Sequence, residues 1–127
     1  MSSVVVLIEP NPLHAKLFSD LIRFAGYHCI TALSGREGSA ITSATQPELV
    51  ILDIVLPDCD GRDIILNIRR NERTANIPII VLTAADDIQN EYECRAFGAT
   101  AFVSKPVHLS ELRDQIEIAI SVKVSNM

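Results

Sequence analysis

Short apolar runs alternate five times with longer segments of helical periodicity along this chain of 127 residues. The runs are rich in Val, Ile and Leu and show no regular in-and-out alternation, which is typical of strands buried on both faces. Strands are predicted at 3–8, 28–31, 49–52, 77–82 and 101–103, and helices at 12–25, 35–44, 62–70, 88–97 and 109–122. This order predicts a doubly wound α/β fold, (βα)5, in which five parallel strands carry helices on both faces and the crossovers are right-handed.

The composition is that of a globular protein, with 48% hydrophobic residues and a net charge of −5. An acidic balance disfavours nonspecific binding to nucleic acid or to anionic membranes, and no apolar run approaches the roughly 20 residues of a membrane span. The three cysteines form no C-x-x-C pair, and their odd number argues against a disulfide framework or a zinc site. We therefore expect one domain over residues 1–127, located in the cytoplasm and without a signal peptide, since no basic residue precedes the first apolar run.

Chemically reactive side chains follow the predicted strands at the points where these strands end. Glu9 follows the first strand, Asp53 the third and Thr83 the fourth, and Lys105 follows the fifth, next to Ser104. Because ligands of such folds bind beyond the carboxyl ends of parallel strands, we expect these side chains at one edge of the sheet. A carboxylate there could attack a phosphoryl group, whose charged oxygens Lys105, the Thr83 hydroxyl and Mg²⁺ would neutralise. The edge therefore indicates phosphoryl transfer.

Three motifs surround these residues: Asp53 is followed by IVLPDCDG, Thr83 lies in VLTAA, and Lys105 lies in GATAFVSKP. In this order and at these separations they resemble the receiver domain of two-component response regulators, over nearly the whole chain. The resemblance implies a flavodoxin-like strand order of 2-1-3-4-5. It also implies a single-domain, chemotaxis-regulator-like phosphoprotein of a phosphorelay, which is not an enzyme beyond self-catalysed phosphotransfer and dephosphorylation.

The resemblance assigns a role to each site residue. Asp53 would be the phosphoacceptor, Thr83 the switch hydroxyl and Lys105 the phosphate-binding lysine. Phe102 falls at the position of the aromatic side chain that rotates in the family. The backbone carbonyl of Val55 falls at the position of a ligand of Mg²⁺.

The resemblance also implies the surroundings and the partners of this site. Pro57 and Gly61 would shape the loop after the phosphoacceptor, and the peptide bond between Lys105 and Pro106 would be cis, an isomer that X–Pro bonds adopt at modest cost. The phosphoryl donor would be a histidine kinase or a histidine phosphotransfer protein. The fourth helix, fifth strand and fifth helix would contact a downstream protein target or form a homodimer.

One position departs from the family pattern. Receiver domains usually present two adjacent acids after the first strand, and the second is the direct protein carboxylate ligand of Mg²⁺, but here the pair is Glu9-Pro10. Proline has no ligand atom on its side chain. The longer Glu9 side chain or the amide oxygen of Asn11 could replace the missing ligand, although N-capping of the first helix competes for Asn11. We therefore expect weak Mg²⁺ binding through Glu9, Asp53 and the Val55 carbonyl.

Three other functions are alternatives to that of a phosphorylated receiver. An aspartyl-nucleophile phosphatase needs a second acid two residues after Asp53, where Val55 stands. A flavodoxin-like cofactor site needs free backbone donors, which the sequence EPNP after the first strand lacks. The third alternative, a receiver fold that binds partners without phosphorylation, stays open because of Pro10.

A few further polar residues have simpler explanations. The three histidines show no metal-ligand spacing, and His14, near the expected site edge, is interpreted as a partly exposed helix residue. Cys59 follows Asp53 in the loop, but nothing near it in sequence would lower its pKa and make it reactive. A cluster formed by Arg69, Arg70 and Arg73 is interpreted as a solvated helix end.

Overall fold

The computed structural model describes residues 3–84 and 88–125 of the chain, and strands and helices alternate along them as predicted. The strands are β1 Val4–Ile8, β2 His28–Ala32, β3 Leu49–Asp53, β4 Ile79–Ala84 and β5 Ala101–Lys105. The helices are α1 Pro12–Phe24, α2 Gly35–Thr45, α3 Gly61–Arg70, α4 Ile88–Phe97 and α5 Leu109–Ser125. The strands pair in parallel in the order β2-β1-β3-β4-β5, which confirms the predicted fold class and strand order. A bilayer-spanning helix is not found in these two ranges, since every helix there is too short or too polar.

Two apolar cores lie on opposite faces of the sheet, because successive side chains of each strand point to opposite sides. On one face, Phe18 and Ile22 of α1 pack with Leu112 and Ile116 of α5. On the other face, α3 and α4 contribute Ile64, Ile65, Ile68 and Cys94. Each large aliphatic side chain that is fully buried contributes about 1.5–3 kcal/mol relative to an exposed one, so apolar burial is the main force that holds the helices to the sheet.

Helix α1 begins where the sequence predicts. Asn11 is its N-cap, and Oδ1 of Asn11 accepts hydrogen bonds from the backbone N–H groups of Leu13 at 3.0 Å and His14 at 3.3 Å. Pro12 occupies the first helical turn, where its missing N–H leaves no bond unmade. The helix ends before Gly26, whose φ of +101° is a left-handed conformation that favours glycine. The connection between β1 and α1 therefore consists of only three residues, 9–11.

The fourth strand starts later and runs further than predicted. The sequence placed it at 77–82, but the Ile77 N–H donates to the Thr74 carbonyl at 3.1 Å in a turn, and a proline follows before the first strand residue. At its other end the strand continues through Thr83 and the next residue, which pair with the last two residues of β5. Strands β4 and β5 therefore extend beyond β3 and carry Thr83 and Lys105 past the level of Asp53.

The interpretation of residues 69–73 as a solvated helix end is wrong for Arg69. Its guanidinium is half-buried and donates to the carbonyls of Gly98 at 3.0 Å, Ala75 at 3.1 Å and Ile77 at 2.6 Å. Burial lowers the pKa of this guanidinium. Arg69 thus ties the end of α3 to the turn after α4 and to the segment that leads into β4, which local sequence does not reveal.

Candidate functional site

Glu9, Asp53 and Lys105 lie together at the carboxyl edge of the sheet. Ile8 pairs with Leu52, and each of the two acids directly follows one of these paired residues, so Glu9 lies beside Asp53. Lys105 ends β5 on the same face of the sheet, the one that carries α1 and α5. Its ammonium contacts Oδ2 of Asp53 and lies 3.6 Å from Oε1 of Glu9. The structure thus brings together three of the residues that the sequence predicted for the site.

Both carboxylate oxygens of Asp53 have defined partners. Oδ1 accepts a hydrogen bond from the Val55 N–H at 2.9 Å, and Oδ2 accepts one from the Lys105 ammonium. Asp53 is only 3% exposed, whereas the side chain of Lys105 is 32% exposed. A carboxylate buried this deeply needs a cation beside it, and Lys105 supplies that cation. The Lys105–Pro106 peptide bond is cis, as the resemblance implied.

Glu9 is fully buried, and its two oxygens differ. Oε2 accepts a hydrogen bond from the Asn11 N–H at 3.0 Å. Oε1 makes no hydrogen bond with the described part of the chain and faces Lys105 Nζ at 3.6 Å and His14 Nδ1 at 4.0 Å. Burial raises the pKa of Glu9; the Asn11 N–H opposes this shift, and the charge of Asp53 adds to it. Oε1 is therefore a buried hydrogen-bond acceptor that receives no hydrogen bond from the described residues.

Thr83 and Phe102 lie on the opposite face of the sheet, towards α4. Val81, which pairs with Phe102 and shares a face with Thr83, belongs to the core under α3 and α4. Thr83 is 4% exposed, and its hydroxyl makes no hydrogen bond with any residue in the described ranges. Phe102 packs partly against the same core, and Cζ of Arg95 lies 4.5 Å from the centre of its ring, at a distance where the cation attracts the ring face. Ser104, which the sequence placed at this edge, is exposed.

Backbone contacts fix the loop between β3 and α3. Val55 and Asp60 form an antiparallel bridge, and the Gly61 N–H donates to the Ile54 carbonyl at 3.2 Å. A Cβ at Gly61 would lie 2.6 Å from that carbonyl oxygen, so only glycine allows the loop to close this tightly. Pro57 is exposed within the loop. The carbonyl of Val55 therefore belongs to a constrained segment beside Asp53.

Asp58 joins this loop to α2. Its carboxylate oxygens accept hydrogen bonds from the N–H groups of Arg36 and Gly35, each at 2.9 Å, and these bonds lower the pKa of Asp58. Sequence reasoning missed this role because Asp58 and Gly35 are 23 residues apart and only the fold brings them together. Next to Asp58, partial burial and nearby carboxylates raise the pKa of the Cys59 thiol, which agrees with the absence of activating neighbours in the sequence.

A second group of charges connects the loop to α4. Nη2 of Arg62 lies 2.6 Å from Oδ2 of Asp60, and Nη1 of Arg62 contacts Glu93 on α4. The hydrogen bonds to Asp60 and then to Glu93 raise the pKa of Arg62. These three residues and Val55 line an open cleft of about 550 Å³. The loop after Asp53 is thus linked to α4 by an ion pair that the sequence did not predict.

The oxygen atoms at the carboxyl edge of the sheet are ligands of the kind that a hard divalent cation accepts, but they are few in number. Glu9 and Asp53 offer carboxylates and Val55 a backbone carbonyl, which are ligands that Mg²⁺ accepts, whereas Pro10 offers none. Asn11 does not fill the gap, because its amide oxygen accepts the two N-cap hydrogen bonds. Within residues 3–84 and 88–125, no three His, Cys, Asp or Glu side chains are already gathered as a metal site. The edge therefore presents oxygen atoms of the kind that Mg²⁺ accepts, and Pro10 adds no carboxylate to them.

Comparison with known proteins agrees with this architecture. A family model described as the response regulator receiver domain matches residues 5–117. The chain is 35% identical over 108 residues to the DNA-binding dual master transcriptional regulator RpaA of Synechocystis, a match that covers 85% of this chain and 45% of RpaA. It is 32% identical over 117 residues to the polar-differentiation response regulator DivK of Brucella ovis, a match that covers 92% of this chain and 95% of DivK. The chain thus spans less than half the length of RpaA and nearly all of DivK.

A solved structure has the same fold. The receiver domain of the sensor histidine kinase PA1611 from Pseudomonas aeruginosa PAO1 superposes with a TM-score of 0.87 at 24% identity, over 95% of this chain and 99% of the other. That receiver domain was solved with a magnesium ion coordinated in its active-site cleft. At this level of identity the likeness shows the fold alone.

Proposed function

The chain belongs to the receiver domain family of response regulators, and we propose that residues 1–127 act as one receiver domain that accepts a phosphoryl group on Asp53. The contact between Asp53 and Lys105 carries this proposal, because it sets a buried carboxylate against the kind of cation that phosphoryl transfer requires. Receiver domains interact with histidine kinases or histidine phosphotransfer proteins, and we propose one of these as the phosphoryl donor. Receiver domains are phosphoacceptor signalling modules rather than typical enzymes, and for this chain we propose no more than self-catalysed phosphotransfer and dephosphorylation.

In the proposed reaction, an oxygen of Asp53 attacks the phosphorus atom of a phosphohistidine on the donor. The O–P bond forms as the P–N bond breaks, and the imidazole nitrogen leaves with the electron pair of that bond. The transferred group carries its negative charge on three oxygens. The Lys105 ammonium, which contacts Asp53 in the structure, pairs with one of them. The Thr83 hydroxyl, which is buried and makes no other hydrogen bond with the described residues, donates to another.

The third oxygen calls for a divalent cation, and receiver domains generally bind Mg²⁺. In this chain Glu9, Asp53 and the carbonyl of Val55 would hold the ion, which neutralises phosphoryl charge when it is bound. Because Pro10 supplies no carboxylate, we expect binding to be weaker by about tenfold or more than in a receiver with two adjacent acids. Mg²⁺ is thus a weakly bound cofactor in this proposal.

The surface that responds to phosphorylation and contacts a partner would be the face formed by α4, β5 and α5. When the Thr83 hydroxyl donates to the phosphoryl group, Phe102 turns inward behind it and leaves Arg95, so phosphorylation biases a two-state equilibrium. The same face carries exposed apolar side chains, with Tyr92 on α4 70% exposed and Ile118 on α5 54% exposed. Exposed apolar residues among charged ones suit a contact with a downstream protein target or with a second copy of the chain.

The donor would approach along α1. Leu13, Leu17 and Phe24 follow helical spacing on one side of α1 and are 80%, 48% and 90% exposed. This apolar stripe starts four residues after Glu9, so a helical donor seated on it would reach the carboxyl edge of the sheet. We propose the stripe as the surface that positions the donor histidine over Asp53.

The proposed setting is the cytoplasm. Cys29, Cys59 and Cys94 form no disulfide within the described part of the chain, as is usual in a reducing compartment. Nucleic acid is not among the proposed partners of this chain, because its net charge is −5. The DNA binding named for RpaA belongs to a protein more than twice as long as the matched region.

One observation favours a second candidate function. Pro10 removes a metal ligand from a site whose phosphorylation would depend on the metal, and a receiver that cannot be phosphorylated could still bind partners through its α4-β5-α5 face. The alternative is therefore a phosphorylation-independent protein-binding module. The two candidate functions differ in whether Asp53 is phosphorylated.

Labelling with a small-molecule phosphodonor in the presence of Mg²⁺ separates these two functions. We expect an acid-labile phosphate on the wild-type protein and on the control Asp63→Asn, whose carboxylate is exposed on α3, but none on Asp53→Asn. Undiminished labelling of Asp53→Asn would rule out Asp53 as the acceptor. No labelling of the folded wild type, even at high Mg²⁺ and with a kinase that labels related receivers, would favour the binding module.

A further inference from the structure

Helix α4 has little apolar anchorage. Among residues 90–97, whose side chains the structure describes, Cys94 alone is buried. Helix α3, by contrast, buries Ile64, Ile65 and Ile68 in the same core. A helix with few buried apolar side chains is held less firmly and opens more readily than its neighbours. Polar contacts therefore contribute a larger share to the position of α4 than to that of α3.

An ion pair between Arg62 and Glu93 connects α4 to the segment that follows the phosphoacceptor. Nη1 of Arg62, in the first turn of α3, contacts Oε2 of Glu93, and the two side chains are 35% and 36% exposed. Asp60 holds the other side of the guanidinium, since Nε of Arg62 donates to its Oδ1 at 3.0 Å and Nη2 lies 2.6 Å from its Oδ2. A guanidinium that one carboxylate already orients loses less freedom when it pairs with a second one, so this pair is stronger than an isolated surface pair.

The contacts of Arg62 lead back to Asp53. Asp60 forms an antiparallel bridge with Val55, and the Val55 N–H donates to Oδ1 of Asp53 at 2.9 Å. A continuous series of contacts thus runs from the phosphoacceptor through the loop after β3 to α4. This route is separate from the one through β5, where Phe102 contacts α4.

The space that the ion pair crosses is open rather than packed. Arg62 and Glu93 line a cleft of about 550 Å³ together with Val55 and Asn90. Val55 is 75% exposed, so its side chain adds little apolar packing across the cleft. Breaking the ion pair therefore opens no large apolar interface, and the pair is well placed to act as a switchable contact.

We infer that the Arg62–Glu93 ion pair is a strap that holds α4 to the phosphoacceptor loop while Asp53 pairs with Lys105, and that this strap opposes the response of α4 to phosphorylation. The second half of the inference rests on the proposed function, in which α4 changes its contacts when Asp53 is phosphorylated. A contact made in one of two states stabilises that state, and a ligand that favours the other state must overcome it. Because such coupling is reciprocal, breaking the strap on α4 strengthens the binding of a phosphoryl mimic at Asp53.

The first measurement tests the strap without phosphoryl chemistry. Amide hydrogen exchange at residues 92–97 is compared in the full chain for wild type, Arg62→Gln, Glu93→Gln and the double variant. We expect each single variant to exchange about twofold to fivefold faster there, and the double variant no faster than either, because each substitution removes the same pair. Amides of β1 should exchange as in the wild type, which shows that the fold is intact. The control Asp20→Asn breaks an exposed ion pair within α1 and should leave residues 92–97 unchanged.

The second measurement follows the binding of beryllium fluoride, a phosphoryl mimic, at a fixed Mg²⁺ concentration through the amide NMR signal of Val55. Glu93→Gln is the decisive variant, because Glu93 lies on α4 and its replacement leaves the contacts of Arg62 with Asp60 in place. We expect this variant to bind the mimic about twofold to fivefold more tightly than the wild type. Asp20→Asn should bind it as the wild type does.

Three results bear against these expectations, each in a different way. Wild-type exchange at residues 92–97 in both single variants, or additive effects in the double variant, would overturn the strap. Faster exchange with unchanged or weaker mimic binding in Glu93→Gln would overturn its opposition to phosphorylation. A wild-type protein that binds no mimic would count against the proposed role of Asp53, and the exchange measurement, which contains no phosphoryl group, would still decide whether the strap holds α4.

Discussion

The ammonium of Lys105 contacts the carboxylate of Asp53 at the point where β3 and β5 present their carboxyl ends. Asp53 is almost entirely buried, and Oε1 of Glu9 lies 3.6 Å from the same ammonium. One cation therefore serves two buried acids. The arrangement favours an incoming group that carries negative charge on its oxygens and can draw Lys105 away from Asp53, as a phosphoryl group would.

Removal of this cation should destabilise the fold. In Lys105→Gln the carboxylates of Asp53 and Glu9 keep their burial but lose their shared counter-ion. We expect a loss of about 2 kcal/mol in the free energy of unfolding, less than the roughly 3–5 kcal/mol for a fully buried pair, because Lys105 is partly exposed to solvent. Urea denaturation near pH 7 measures the loss. The control Lys16→Gln breaks an exposed pair with Asp20 and should change stability by under about 0.5 kcal/mol; equal effects of the two substitutions would contradict the assignment.

The bond from Asp58 to the start of α2 should make stability depend on pH. The pKa of Asp58 is lowered in the folded protein, so its charged form stabilises the fold at a pH above the unfolded pKa, and this stabilisation is lost as the pH falls through the folded pKa. Asp58→Ala should therefore melt below the wild type near pH 7, and the difference should shrink below about pH 4. Thermal melts from neutral to acidic pH, with the exposed Asp114→Ala as control, provide the comparison. A difference that persists unchanged in acid would mean that the charge of Asp58 is not what stabilises α2.

The contact of Arg95 with Phe102 should bias the position of the aromatic ring. A cation over an aromatic face at an exposed site is worth about 0.5–1 kcal/mol, which corresponds to about a twofold to fivefold change in an equilibrium. We expect Arg95→Gln to shift the equilibrium between the two positions of the Phe102 ring by that factor towards the inward position. The aromatic NMR signals of Phe102 measure this shift. Arg95→Lys keeps a cation and should stay closer to the wild type, and Arg113→Gln on α5 should have no effect. Unmoved Phe102 signals in Arg95→Gln would show that the contact does not hold the ring.

A carboxylate restored at position 10 should strengthen Mg²⁺ binding. Pro10→Asp should gain about tenfold or more in Mg²⁺ affinity, on the order of 1.4 kcal/mol. Without metal the added charge lies near Glu9 and Asp53 and should lower the melting temperature, whereas bound Mg²⁺ stabilises the folded state. Melting of both proteins with and without Mg²⁺ at fixed ionic strength measures the two effects. Equal responses to Mg²⁺ would mean that Glu9 already supplies the missing ligand.

The sequence alone predicted most features that depend on hydrophobic periodicity and on where residues lie relative to the ends of the strands. Apolar runs set the strands, and their ends placed Glu9, Asp53 and Lys105 at one edge, since every strand of a parallel sheet ends there. The limits of β4 were wrong because the apolar residue Ile77 looks like a strand residue in sequence, although a turn takes its N–H. Pairing with β5 then extends β4 to include Thr83, which only the fold reveals.

Contacts between distant segments lay outside what the sequence could predict. The bond from Asp58 to Gly35 and the bond from Arg69 to the Gly98 carbonyl join residues that are far apart in the chain. His14 was placed near the site edge from its position in the first helix, but its distance from Glu9 depends on how α1 leaves β1. The sequence therefore predicted the order of the strands and helices, but not how side chains from different elements are oriented towards one another.

Direct identification of the phosphorylated residue tests the central claim. After incubation with a phosphodonor and Mg²⁺, borohydride converts an acyl phosphate of aspartate into homoserine, and mass spectrometry of the tryptic peptide 37–62 locates it. This peptide contains Asp53 together with Asp58 and Asp60, so fragmentation distinguishes the three. We expect homoserine at position 53 alone. Homoserine at position 58 or 60, or an unmodified Asp53 in a protein that carries acid-labile phosphate, would contradict the account.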